Sequence, residues 1–230
     1  MDAITMRKLD TVKKLVDEKH FPIWGLAGSF VGLVFILGSQ LGYRGTEGEP
    51  YSIFNHYISE LGEVGVAVFA WLFNLGMFVS GILFIPFMIG LGLYLRNIVG
   101  KLAGLVGVFS SVSIVFVGIY PMNFPMEHAT AALSFFLSGM LMTALWALAT
   151  VIQKESKIPK AFSMGGVTNV AIFALFLYGP WEGYGSWTTR PEFSMVTTLE
   201  WSIYFAIIGY LLAMAYYVWR KESGAERTSV

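Results

Sequence analysis

Six apolar stretches constrain this chain more than any other feature of its sequence. They run over about Pro22–Tyr43, Val64–Leu95, Leu102–Tyr120, Pro125–Ile152, Ala161–Tyr178 and Leu199–Trp219. A helix rises about 1.5 Å per residue and the hydrocarbon core of a bilayer is about 30 Å thick, so about 20 apolar residues make one crossing. No charged side chain lies near the middle of any stretch. In hydrocarbon no water satisfies the backbone, which leaves the helix as the local solution. The expected fold is therefore all-α: a polytopic membrane protein built as a bundle of six transmembrane helices. The second stretch exceeds a straight crossing and is predicted to tilt, project from the bilayer or kink near Pro86.

Composition excludes several classes. Only 13% of the 230 residues are charged and 56% are hydrophobic, whereas a soluble domain carries about 25% charged residues. The 15 basic and 15 acidic residues cancel, which removes the electrostatic case for nucleic-acid binding. There is no cysteine, hence no disulfide, thiolate metal site, iron–sulfur cluster or cysteine nucleophile.

Orientation follows from the Lys and Arg residues. Thirteen of the 15 fall at the N-terminus, between the second and third or the fourth and fifth stretches, or at the C-terminus; only Arg44 and Arg190 fall on the other side. The positive-inside rule places both termini in the cytoplasm of a multi-pass cell-membrane protein. Residues 1–21 are expected to form a cytoplasmic amphipathic segment, with Met6, Leu9, Val12 and Leu15/Val16 at helical spacing. This segment has no apolar run followed by a small-residue cleavage site and is not read as a secretory signal. Residues 22–219 form the transmembrane domain and 220–230 a cytoplasmic tail. Small-residue stripes (Gly76/Ser80, Gly100/Gly104/Gly107/Ser111, Ser134/Ser138) are expected to pack within one bundle, with a homo-oligomer or membrane complex as the alternative use.

Polar residues gather on the outer side. The first outer loop reads PYSIFNHYISELGEVG, with Asn55, His56, Ser59, Glu60 and Glu63. Were it α-helical, His56 and Glu60 would share a face. The second reads YPMNFPMEHATAALSFF, where Pro125 suits a first helical turn and Glu127 and His128 follow. The third carries Glu182, Arg190, Glu192 and Glu200. Such a set can serve acid–base chemistry, hold a divalent metal or cradle a lipid head group. The catalytic candidates are His56, Glu60, His128 and Glu200. The ligand-binding candidates are Asn55, Ser59, Asn74 and Arg190, the last as an anion clamp. The metal candidates are His56, His128 and Glu60. The bland alternative is that loops are polar and histidines merely fix helix ends. His20, beside Lys19, reads as interfacial. The aromatics Tyr51, Tyr57, Trp181, Tyr184, Trp187 and Trp201 read as head-group anchors.

Within the spans the polar residues are few: Asn74, Thr168, Asn169, Ser110, Ser111 and Ser113. No mid-depth carboxylate or histidine serves a coupled proton path, no lysine is placed for retinal and no histidine pair is placed for a haem within the membrane. Gly-x-Ser-x-Gly, His-Glu-x-x-His and phosphate-loop motifs are absent.

The segments NHYISELG, entering the second span, and PMNFPMEHATAALSFF, entering the fourth, together with Leu199–Glu200–Trp201 at the last helix, resemble a prokaryotic six-span membrane family catalogued as domain of unknown function 998. The resemblance covers most of the chain. It implies that His56, Ser59, Glu60, Asn74, His128 and Glu200 are the positions to watch, and it supplies no established reaction. A polar cluster at the extracytoplasmic face, binding or acting on a lipid or amphipathic head group, is the leading expectation, with membrane lipids as partners. A structural or assembly subunit and a passive channel or facilitator, its path past Asn74 and Asn169, are the alternatives.

Overall fold

A computed structural model describes residues 13–45, 48–180 and 190–227. Six helices follow in order: α1 (Phe21–Ser39), α2 (Ala70–Tyr94), α3 (Ile98–Ile119), α4 (Pro125–Ile152), α5 (Phe162–Tyr178) and α6 (Met195–Arg227). No β-sheet occurs among the described residues. Five helices are long and apolar enough to cross a membrane, while α5 is apolar but spans 17 residues. Met6, Leu9 and Val12 of the amphipathic start, and Trp181, Glu182, Tyr184 and Trp187, lie outside the described residues.

Each helix packs on its neighbours in sequence, and α1 also packs on α6, so the six form a closed ring. Large apolar side chains fill the core and also cover the outside. Helix α1 turns Gly25, Gly28, Ser29 and Gly32 inward and leaves Phe30 66% exposed. A row of exposed Phe, Leu and Val over buried Gly and Ser is costly in water and natural in lipid, where close backbone approach drives helix association.

The glycines show where approach is closest. A Cβ on Gly104 of α3 would lie 2.8 Å from the Met88 carbonyl oxygen of α2, and one on Gly81 would lie 2.8 Å from that of Ser111. One on Gly118 would lie 2.5 Å from the Asn74 carbonyl. Helices α2 and α3 thus touch backbone to backbone near both ends and at the centre. Gly76 meets Phe35 of α1. The Gly76 and Gly100–Ser111 stripes are seams inside the bundle.

Helix bounds follow local chemistry. Helix α4 begins at Pro125, whose missing N–H costs nothing in a first turn, and matches the expected limits. Helix α2 starts at Ala70, six residues later than its apolar stretch. Gly65 takes φ +94°, Val64 bridges to Ala67, and Ala67 pairs with Tyr43, so these residues fold back as a turn. Pro86 lies inside α2 without ending it. At the opposite face from the outer loops, Tyr94 donates to Glu222 at 2.6 Å, Arg96 pairs with Glu18 and Glu155, and Lys157 lies over the Tyr94 ring. Next to that cluster, His20 bonds Asp17 at 2.7 Å.

Candidate functional site

The first outer loop does not form an α-helix. Tyr57 is extended and Ile58–Gly62 is a 3-10 turn, so His56 precedes the turn and shares no helical face with Glu60. The turn is held from within: the Glu60 carboxylate reaches back to the Tyr57 N–H at 2.8 Å and accepts the Tyr43 hydroxyl at 3.1 Å.

Arg190 completes this arrangement from 130 residues away. Its guanidinium grips both Glu60 oxygens, at 3.2 and 2.9 Å, and donates to the Asn55 carbonyl at 2.7 Å. Asn55 Nδ2 donates to the Pro191 carbonyl at 2.8 Å, and the Ser194 N–H to that of Phe54 at 2.7 Å. The loop before α6 is therefore stitched onto the first outer loop around one ion pair, with Glu60 buried and Arg190 27% exposed. Burial alone would lower the Arg190 pKa; the Glu60 bond and charge outweigh it and raise the value. Glu63 is pushed up by burial and by the Glu60 charge. Arg190, expected as a clamp for an external anion, has its fork occupied by Glu60.

His56 is 1% exposed and sits in an aromatic box, its ring 5.2 Å from that of Tyr43 and 4.9 Å from that of Tyr51. Its Nδ1 lies 2.7 Å from Asn55 Oδ1 and 3.2 Å from the Ser52 backbone nitrogen. Nε2 has no hydrogen bond among the described residues and stands 4.0 Å from Glu49. Burial lowers the His56 pKa, Glu60 opposes that shift and Arg190 adds to it. Tyr51 donates to the Tyr57 carbonyl and accepts from the indole of Trp201 at 3.0 Å. Trp201 is 2% exposed, which corrects its reading as a head-group anchor: it is core. Burial pushes the Tyr43 and Tyr51 hydroxyls up. Tyr43 and Glu49 carry no local motif, and neither is among the residues that sequence reasoning singles out.

The two segments quoted for the resemblance meet. Ser59 donates to the Met122 sulfur at 3.4 Å, and the Asn123 side chain pairs with the N–H and carbonyl of Val64 at 2.8 and 3.0 Å. His128 Nδ1 lies 2.8 Å from the Tyr120 carbonyl, which only accepts, so Nδ1 carries the proton. Glu200, buried on α6, accepts the Ile58 N–H at 2.8 Å with one oxygen.

Beneath these contacts a slender cavity of about 70 Å³ runs down the ring. Ser59, His128 and Glu200 line its outer part, and Phe84, Ile207 and Ile208 its deeper part. From Glu200 to Ile208 the depth is about 12 Å at 1.5 Å per residue. Ser80 lines it and has a buried hydroxyl without a hydrogen bond among the described residues. Asn74 is elsewhere: it donates to the Gly62 carbonyl at 3.0 Å and lines a separate surface hollow.

The candidates thus divide. Asn55, His56, Glu60 and Arg190 form an interlocked outer cluster; Ser59, His128 and Glu200 face the cavity; Asn74 faces neither. The three metal candidates make no joint set, and no group of three or more His, Asp or Glu able to hold a metal occurs among the described residues.

Among known proteins, the model of a family described as "Protein of unknown function (DUF998)" matches residues 26–220. No curated protein and no solved structure matches the chain.

Proposed function

The chain belongs to the DUF998 family of unknown function, and we propose that it crosses the membrane six times and binds an amphipathic, lipid-like molecule at its outer face. Both termini then face the cytoplasm, as the distribution of Lys and Arg favours. Helix α5, at 17 residues, spans about 25 Å, which local thinning of the bilayer accommodates.

The observation that carries the binding reading is the order of the cavity lining. Polar groups of Ser59, His128 and Glu200 stand at its outer part, with mostly apolar side chains below, Ser80 and Tyr204 being the exceptions. An amphiphile has that same order of polarity along its length. The stitched loops hold Ile58 and Ser59 at the outer part of the cavity, so the Glu60–Arg190 pair serves as support and not as a ligand contact.

The test is lipid analysis of the purified protein beside Ala132→Phe, which plugs the cavity from α4. A bound amphiphile in roughly equimolar amount, lost from the plugged variant at unchanged melting temperature, is the expected result. Identical lipid content in the two proteins would overturn the reading. Thiol labelling of single cysteines at Arg44 and Lys154 tests the topology, with opposite sides expected.

A further inference from the structure

We infer that the head group taken by the cavity is a cation or strong hydrogen-bond donor, a protonated amine above all, and not an anion. This rests on the binding reading above and adds the chemistry of the ligand. At the outer part of the cavity the free atoms are a ring nitrogen and a carboxyl oxygen, with no cation paired to either among the described residues. The His128 ring uses its only proton on the Tyr120 carbonyl, which leaves Nε2 with a lone pair. Glu200 engages one oxygen with the Ile58 N–H, and the described residues give its other oxygen no hydrogen bond.

No Lys or Arg lines the cavity. The nearby guanidinium of Arg190 is held by both oxygens of Glu60 and by the Asn55 carbonyl. The Ser59 hydroxyl points its proton at the Met122 sulfur. A carboxylate or phosphate placed here would face a carboxyl and a lone pair with no cation to offset them, in surroundings where unpaired charge is costly. An amine entering here can take the Glu200 proton, and the ammonium so formed meets the Glu200 carboxylate and the His128 lone pair.

The experiment uses the full chain in phosphatidylcholine vesicles and three probes of one chain length: dodecylamine, dodecanol and dodecanoate, each also in brominated form. Quenching of tryptophan fluorescence by the brominated probe, and its reversal by the unlabelled one, reads saturable binding at matched membrane concentration. The amine is expected to bind about tenfold or more tighter than the carboxylate, with the alcohol between them. Glu200→Gln should reduce the amine to the level of the alcohol. Ser59→Lys, which sets a cation in the cavity wall and leaves Glu200 untouched, should shift preference toward the carboxylate.

A carboxylate that binds as well as the amine, or an amine preference that survives Glu200→Gln, overturns the head-group inference while the binding reading stands. Absence of saturable quenching by all three probes overturns both. If Glu200→Gln fails to fold, the Ser59→Lys reversal alone decides.

Discussion

Arg190→Ala is the perturbation whose cost the structure specifies best. It deletes three hydrogen bonds at 2.7, 2.9 and 3.2 Å and leaves Glu60, 7% exposed, with only the Tyr57 N–H and the Tyr43 hydroxyl. Removing one partner of a buried pair costs about 3–5 kcal/mol, because the other charge is stranded. Arg190 is 27% exposed, so water partly replaces it and the lower figure, about 3 kcal/mol, applies.

The loss falls on opening of the outer loop and not on the whole bundle, whose helices keep their own contacts. The absence of cysteine makes that opening measurable. A single cysteine at Leu61, which is fully buried, reacts with a thiol reagent only when the loop opens. At about 1.4 kcal/mol per factor of ten, Arg190→Ala should speed labelling by about 100-fold. Adding Glu60→Gln removes the stranded charge and should slow labelling again. High salt should matter little, since a buried pair is weakly screened. Labelling within about threefold of the parent, or no recovery with Glu60→Gln, would refute the account of the pair as the clasp between the two loops.

Four other outcomes are expected. Gly104→Val places side-chain atoms against the Met88 carbonyl and should lower stability by about 1–3 kcal/mol, visible as a reduced melting temperature in detergent. Tyr94→Phe removes the 2.6 Å bond to Glu222; it should cost about 1 kcal/mol and speed hydrogen exchange in the last turns of α6. The depressed His56 pKa means that the unfolded chain binds a proton before the folded one does, so its stabilising contribution is complete above pH 6.5 and declines as pH falls below it. His56→Gln should flatten that part of the melting-temperature profile. Glu63, raised by burial, acts in the opposite sense, so Glu63→Gln should steepen the acid-side loss.

The apolar helices were legible because hydrocarbon tolerates little else, and the limits of α4 were legible because Pro125 marks its first turn. The start of α2 was not. Val64, Val66, Val68 and Phe69 are as apolar as a helix, but Gly65 takes a left-handed conformation and the segment turns back to pair with Tyr43. Hydropathy reports affinity for lipid and says nothing of backbone direction.

For the site, residue types at the outer face could be read, but their grouping could not. The Glu60–Arg190 contact joins positions 130 apart, and no local period encodes it. His56 and Glu60 looked paired through an α-helical spacing that the 3-10 turn abolishes. Trp201 looked like an anchor because its place near a helix end is also that of a membrane-boundary residue, whereas its indole is tied to Tyr51 in the interior.

The backbone contacts between α2 and α3 have a mechanical consequence. Two rods touching at Gly81, Gly92–Gly104 and Gly118 are expected to move as one plank. Such a plank cannot widen along its seam without losing contact along much of its length. Any breathing of the central cavity is therefore expected at the opposite wall, where α6 packs on α1 and α5 like a door against a fixed post.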